Sequence, residues 1–164
     1  MSRIYFVPFT GTVTNAGGNV DLFSLQPADD IPIRIRGFVL GNVSEVGDAA
    51  EEALRITVTY LPATFTVGSG GSAVTAAKPG SEPSGTDWSF TARVNDTTVA
   101  TTSGTAIVRD EFAWNIRNSP YEHWYPDVDF CPVARQTAGI VIRQETTAAD
   151  DYTFSGGVWV EELS

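Results

Sequence analysis

Two stretches decide the fold: Ile33-Arg34-Ile35-Arg36-Gly37-Phe38-Val39-Leu40 and Leu54-Arg55-Ile56-Thr57-Val58-Thr59-Tyr60. In the first, isoleucines alternate with arginines. In the second, Leu54, Ile56, Val58 and Tyr60 alternate with Arg55, Thr57 and Thr59. A period of two sends successive side chains to opposite faces, the mark of a strand with one face in a core. Ile33, Ile35, Leu54, Ile56 and Val58 are therefore expected to point inward, because the Arg and Thr between them need solvent or a partner.

The same texture extends along the chain. Ile4 to Val13, Val20 to Leu25, Ser89 to Val94, Thr105 to Arg109, Gly139 to Arg143 and Tyr152 to Glu161 read as further strands, rich in the Thr and Val that half-buried strands prefer. Only Asp48-Ala49-Ala50-Glu51-Glu52-Ala53-Leu54 offers a helical turn, capped by Asp48, and it reads equally as a loop entering the next strand. About eight strands in 164 residues predict one all-β domain over residues 1–164, an antiparallel β-sandwich or jelly roll with long loops. Turn chemistry marks the breaks: Asn15-Ala16-Gly17-Gly18-Asn19, Gly68-Ser69-Gly70-Gly71-Ser72, and Lys78-Pro79-Gly80 through Gly85. The last two bracket about twenty residues with little strand pattern, a length that in a compact domain marks a functional or flexible loop. Phe112 to Pro126 is expected to be irregular and is dense in aromatics.

Composition narrows the function. Twenty acidic against ten basic residues give a net charge of −10. That balance argues against nucleic acid, whose phosphates need surplus cations, and against anionic membranes. The longest apolar runs fall far short of the ~18 residues of a membrane span, and Met1 to Phe9 lack a signal-peptide pattern, so synthesis and folding in a host cytoplasm are expected. One cysteine, Cys131, excludes an internal disulfide framework, and one histidine, His123, excludes the usual zinc sites.

Catalytic signatures are sparse. The chain has neither a Gly-x-Ser-x-Gly elbow nor a Gly-x-x-x-x-Gly-Lys-Ser/Thr phosphate loop. A hydrolytic triad would have to use His123, which sits among Pro120, Tyr121, Trp124 and Tyr125 and reads as a packed structural side chain. Cys131 has no adjacent cation to activate it and reads as an inert buried thiol. The acidic pairs Asp29-Asp30, Glu51-Glu52, Asp127-x-Asp129, Asp150-Asp151 and Glu161-Glu162 suit glycoside hydrolysis only at a particular spacing in space, and read first as solvated loop carboxylates. The sequons at Asn42 and Asn95 read as chance matches. No catalytic residue, metal or cofactor is expected.

Aromatics and arginines are the positive signal. Trp114, Tyr121, Trp124 and Tyr125 fall within twelve residues, and Trp88 closes the long loop. Such rings cap a sandwich core, anchor a protein interface or stack on sugars. Nine of the ten cations are arginine, the cation favoured in interfaces and also by a GC-rich genome. If interfaces are the cause, Arg34, Arg36, Arg55, Arg117 and Arg143 are expected to pair with carboxylates of a neighbouring subunit.

The run from Val20-Asp21-Leu22-Phe23-Ser24-Leu25 through Ile33-Arg34-Ile35-Arg36-Gly37-Phe38 to Glu45-Val46-Gly47-Asp48, with the closing Phe154-Ser155-Gly156-Gly157-Val158-Trp159-Val160-Glu161-Glu162, resembles a group of short phage and prophage proteins. By size, charge and β content the chain resembles tailed-phage capsid decoration, or cement, proteins. The resemblance implies a non-enzymatic virion protein on the capsid exterior, partnered by the major capsid protein and by copies of itself, a trimer being favoured. Trp88, Trp114, Tyr121, Trp124, Tyr125, Arg34, Arg36 and Arg55 are the candidate contact residues. The competing reading is a carbohydrate-binding module for host attachment, from a head fibre or tail.

Overall fold

The structure, a computed structural model, describes residues 3–15, 18–44, 52–79, 87–118 and 120–163. The described residues contain thirteen strands and no helix: β1 (Arg3–Val13), β2 (Val20–Gln26), β3 (Ile33–Asn42), β4 (Ala53–Leu61), β5 (Phe65–Thr66), β6 (Ser72–Ala73), β7 (Thr91–Asp96), β8 (Thr101–Thr102), β9 (Ile107–Asn115), β10 (Tyr121–Trp124), β11 (Val133–Ala134), β12 (Gly139–Gln144) and β13 (Tyr152–Glu162). Eight of these are at least six residues long, matching the expected number, and the rest are short edge pieces. The one-turn helix considered around Asp48 falls largely on residues 45–51, outside the described ones.

The strands form a β-sandwich. One sheet runs β1-β13-β3, with β10 and β11 sharing the far edge of β3; the other runs β6-β7-β2-β12-β4-β9. Every strand pair is antiparallel. Ile33, Ile35, Leu54, Ile56 and Val58 all lie fully buried between the sheets, as the alternation requires. Aromatic rings lock the layers: Phe23 of β2 meets Phe9 and Phe154 edge-on, and Trp114 of β9 meets Phe154 the same way. Thr57 and Thr59 are buried too, and their hydroxyls find partners in Glu145 and Thr57 respectively.

Alternation in β3 slips once. Ile35 and Phe38 both face the core although they are three positions apart, and a bulge opposite Trp159/Val160 leaves Arg36 as the extra residue. The slip turns Gly37 to the outer face, where Arg34 already points by alternation with Ile33 and Ile35. The glycine-rich stretch after Gly68 is more ordered than its composition suggests. Ser72–Ala73 extends the second sheet, and Ala77 exchanges backbone hydrogen bonds of 2.7 and 2.8 Å with Phe6 on the first. This segment laces one side of the sandwich from sheet to sheet. Residues 80–86 of that loop lie outside the described ones.

The opposite side holds β9 and β10. Tyr121 stacks on Phe112 across the two sheets with centroids 4.3 Å apart and 12° between planes, and His123 Nε2 lies 3.3 Å from Asp110 Oδ2. The expected irregular segment is thus mostly strand: the tail of β9, a short connection and β10. Its aromatics alternate in and out, which fixes each ring's role.

Candidate functional site

Period two along β10 splits the expected aromatic cluster. Tyr121, His123 and Tyr125 turn inward and are half-buried, while Trp124 turns out with 49% of its surface exposed. Trp114 is a core residue, 1% exposed, because it opposes Leu54 on the inner face of β9. It is therefore unavailable as a contact residue. Trp88 is half-buried and packs against the core. Burial pushes the Tyr125 phenol far above its ordinary range, and its hydroxyl has no hydrogen-bond partner.

Trp124 belongs instead to an aromatic row on the outer face of the first sheet. Its ring lies 4.5 Å from Trp159 on β13, and Trp159 lies 4.8 Å from Phe6 on β1. Glycine makes the row possible. Trp124 and Trp159 are both register partners of Gly37, and their rings meet over it; a Cβ there would stand 2.7 Å from Trp124 Cε3. Gly157 likewise leaves room for Phe6, whose ring tip fills the space a Cβ would take. Trp124 Nε1 donates to Glu122 Oε1 at 2.5 Å, which holds the indole on the sheet.

Beside the row sit Arg34 and Arg36. Both donate to the same oxygen, Glu161 Oε2, at 3.4 Å. Glu161 and Glu162, read as solvated, are buried in β13: Glu161 faces these arginines and Glu162 accepts from the Ser89 amide and hydroxyl. Of the five arginines expected to pair between subunits, Arg34, Arg36, Arg55 and Arg143 have carboxylate partners within the chain. Arg55 binds Glu111 at 2.7 Å, and Arg143 binds Asp21 at 2.6 Å. Asp21 and Asp96 are fully buried, so the carboxylates that most needed cations took them internally.

The strand edge beyond Trp124 completes the surface. β10 and β11 flank the loop of residues 126–132, which Tyr125 N–H to Arg36 C=O (3.2 Å) and Ile35 N–H to Pro132 C=O (3.0 Å) tie down at either end. The loop carries exposed Asp127, Val128, Asp129 and Phe130, the last 69% exposed. Asp127 Oδ1 accepts from the Asp129 amide at 3.1 Å, shaping its turn. Cys131 is tucked beneath, its thiol pushed up by burial and donating to Asp127 C=O at 3.4 Å, a setting that disfavours the reactive thiolate. Of the eight large apolar side chains most exposed among the described residues, Trp124, Val128 and Phe130 lie here and Ile107 and Val108 on neighbouring β9.

Phe6 and Trp159 escaped the sequence reading because they sit inside apolar runs, Tyr5-Phe6-Val7 and Val158-Trp159-Val160. The signal was there: in a half-buried strand, a large ring between two inward residues must face out. What the arrangement offers is an aromatic row and a cation pair on paired strands, with an apolar knob on the adjoining loop. Among the described residues no three or more His, Cys, Asp or Glu side chains converge as metal ligands. No family model matches the chain, and neither a curated protein nor a solved structure is similar to it.

Proposed function

We propose that the chain is a structural virion protein, a decoration subunit that binds the outer surface of a phage capsid and bridges its capsomers as a homo-oligomer. One observation carries the protein-binding part of this reading: Phe6, Trp159 and Trp124 line the outer face of a sheet beside Arg34 and Arg36. Trp and Arg are the residues that dominate protein interface energetics, and rigid strands present them at little entropic cost. The capsid as destination comes from the sequence resemblance. Ring geometry favours protein over sugar. Neighbouring planes are tilted by 47° and 38°, so the three rings do not make one coplanar platform for sugar faces to stack along.

The test is co-sedimentation with assembled phage shells stripped of decoration. Saturable binding at a fixed copy number per major capsid protein is expected, and Trp124→Ala should lower occupancy with circular dichroism unchanged. Failure to bind any shell, or a tryptophan fluorescence change on adding soluble glycans, would favour the carbohydrate-binding alternative.

A further inference from the structure

We infer that the Trp124–Phe130 face mates with the same face of a second copy of this chain about a two-fold axis. The inference rests on reading that face as a protein-binding surface, and it names the occupant.

The surface carries both members of two complementary sets. The first is apolar: Phe130 and Val128 stand out from the 126–132 loop, which leaves β10 just after Trp124, and Trp124 opens the row that continues through Trp159 to Phe6. The second is ionic. Arg34 and Arg36 share a single carboxylate oxygen, leaving one positive charge uncompensated in that trio, while Asp127 and Asp129 stand exposed on the adjoining loop. Backbone hydrogen bonds tie that loop to Arg36 and Ile35, so acids and bases keep a fixed separation. A patch holding both halves of each pairing is self-complementary, which is what an isologous two-fold contact demands. Each copy carries −10, so a contact between copies needs local opposite charges to offset their repulsion.

Strand addition along β9 is the competing geometry, and the edge is guarded against it. A bulge at Val58/Thr59 interrupts its ladder, and Arg109-Asp110-Glu111 put three charges at its middle. Strand addition at β9 is therefore disfavoured, and the inferred contact is one of side chains.

Sedimentation equilibrium of the full chain tests this with three variants. The parent should sediment at twice the 17.6 kDa chain mass, and Phe130→Asp at the single mass. Arg34→Glu with Arg36→Glu makes all four of these charged positions acidic in one variant, and Asp127→Arg with Asp129→Arg makes all four basic in another. Each alone should be monomeric, and an equimolar mixture should return to the dimer mass, since both contacts of the mixed pair are then complementary. Rescue on mixing is a result that a merely misfolded variant does not give. If circular dichroism finds the Arg variant unfolded beside Glu161, Phe130→Asp and the loop variant decide. A monomeric parent, a parent of three times the chain mass, or a dimeric Phe130→Asp overturns the inference. The two readings separate cleanly: a monomeric parent that binds shells leaves decoration standing without the two-fold contact, and a dimeric parent that ignores shells does the reverse.

Discussion

Arg143 grips Asp21 with two prongs, Nε to Oδ1 at 2.6 Å and Nη2 to Oδ2 at 3.2 Å, at a carboxylate with no exposed surface. The Ala100 amide donates to the same carboxylate at 2.6 Å, and Arg143 Nη2 donates to Ala100 C=O at 2.8 Å. Ala100 packs with Leu61, Phe65 and Val141 in a small second core, so the pair fastens the β5–β8 flap onto the outer face of the second sheet.

Removing one partner of a buried pair strands the other's charge, so Arg143→Ala should cost about 3–5 kcal/mol in urea unfolding. The pH dependence has a definite sign. Burial outweighs the pairing and pushes the Asp21 carboxyl above its ordinary value of 3.8, so its ionisation weighs against the fold. The group's contribution is most favourable below that value and declines as pH rises through the raised one. Without Arg143 the decline should steepen, making the loss larger at about pH 7 than at about pH 4. An equal loss at both would mean that packing, not charge, was removed.

The two tryptophans of the β9–β10 segment should behave oppositely. Trp114→Ala opens a hole among Leu54, Tyr152 and Phe154 and should cost about 3–5 kcal/mol; Ile56→Ala, at a fully buried position, about 2–5 kcal/mol. Trp124→Ala should change unfolding free energy far less, since half its surface is already in water. Denaturant melts of the three variants check the order. A larger effect at Trp124 than at Trp114 would reverse the assignment of faces.

Alternation made the sandwich legible, because Ile33, Ile35, Leu54, Ile56 and Val58 could satisfy a period of two in only one way. The site was legible in part. Trp124, Arg34 and Arg36 emerged from composition, yet Trp114 shares a segment with Trp124 and faces the other way. Arg55 and Arg143 looked like contact residues because the sequence hides Glu111 and Asp21, which lie 56 and 122 residues from them along the chain. Long-range antiparallel pairing decides which arginine is already satisfied. Register carries that information, and no single strand's pattern reveals it.

Alkali should unfold the protein cooperatively. Desolvation is the main cause raising the phenols of Tyr5, Tyr121, Tyr125 and Tyr152 above their ordinary value of 10.0. An unfolded chain releases those protons near the ordinary value while the native chain keeps them. The unfolded state then binds fewer protons, and stability falls as pH rises above that point, having been fully present below it. Phenolate absorbance followed beside circular dichroism checks this. These four phenols should ionise with the unfolding transition, and ionisation of all of them in a still-folded protein would contradict the burial argument.

Gly37 sets the geometry of the aromatic row, and an alanine there should be costly in two measurable ways. The added methyl would lie 2.6 Å from His123 C=O, a backbone atom held in the β10–β3 ladder, and 2.7 Å from the Trp124 ring. The backbone cannot yield without weakening the pairing of β10. The indole can yield only by leaving Trp159 and its bond to Glu122. Overpacking of this kind costs about 1–3 kcal/mol, so Gly37→Ala should lower the urea midpoint while leaving the sandwich folded. It should also shift the tryptophan emission of the folded state, as Trp124 tips into water. Glycine at this position would then be needed for the shape of the binding face. A variant with unchanged emission and parent-like stability would mean that the rings do not rest on the strand, and the row would lose its claim to be a built surface.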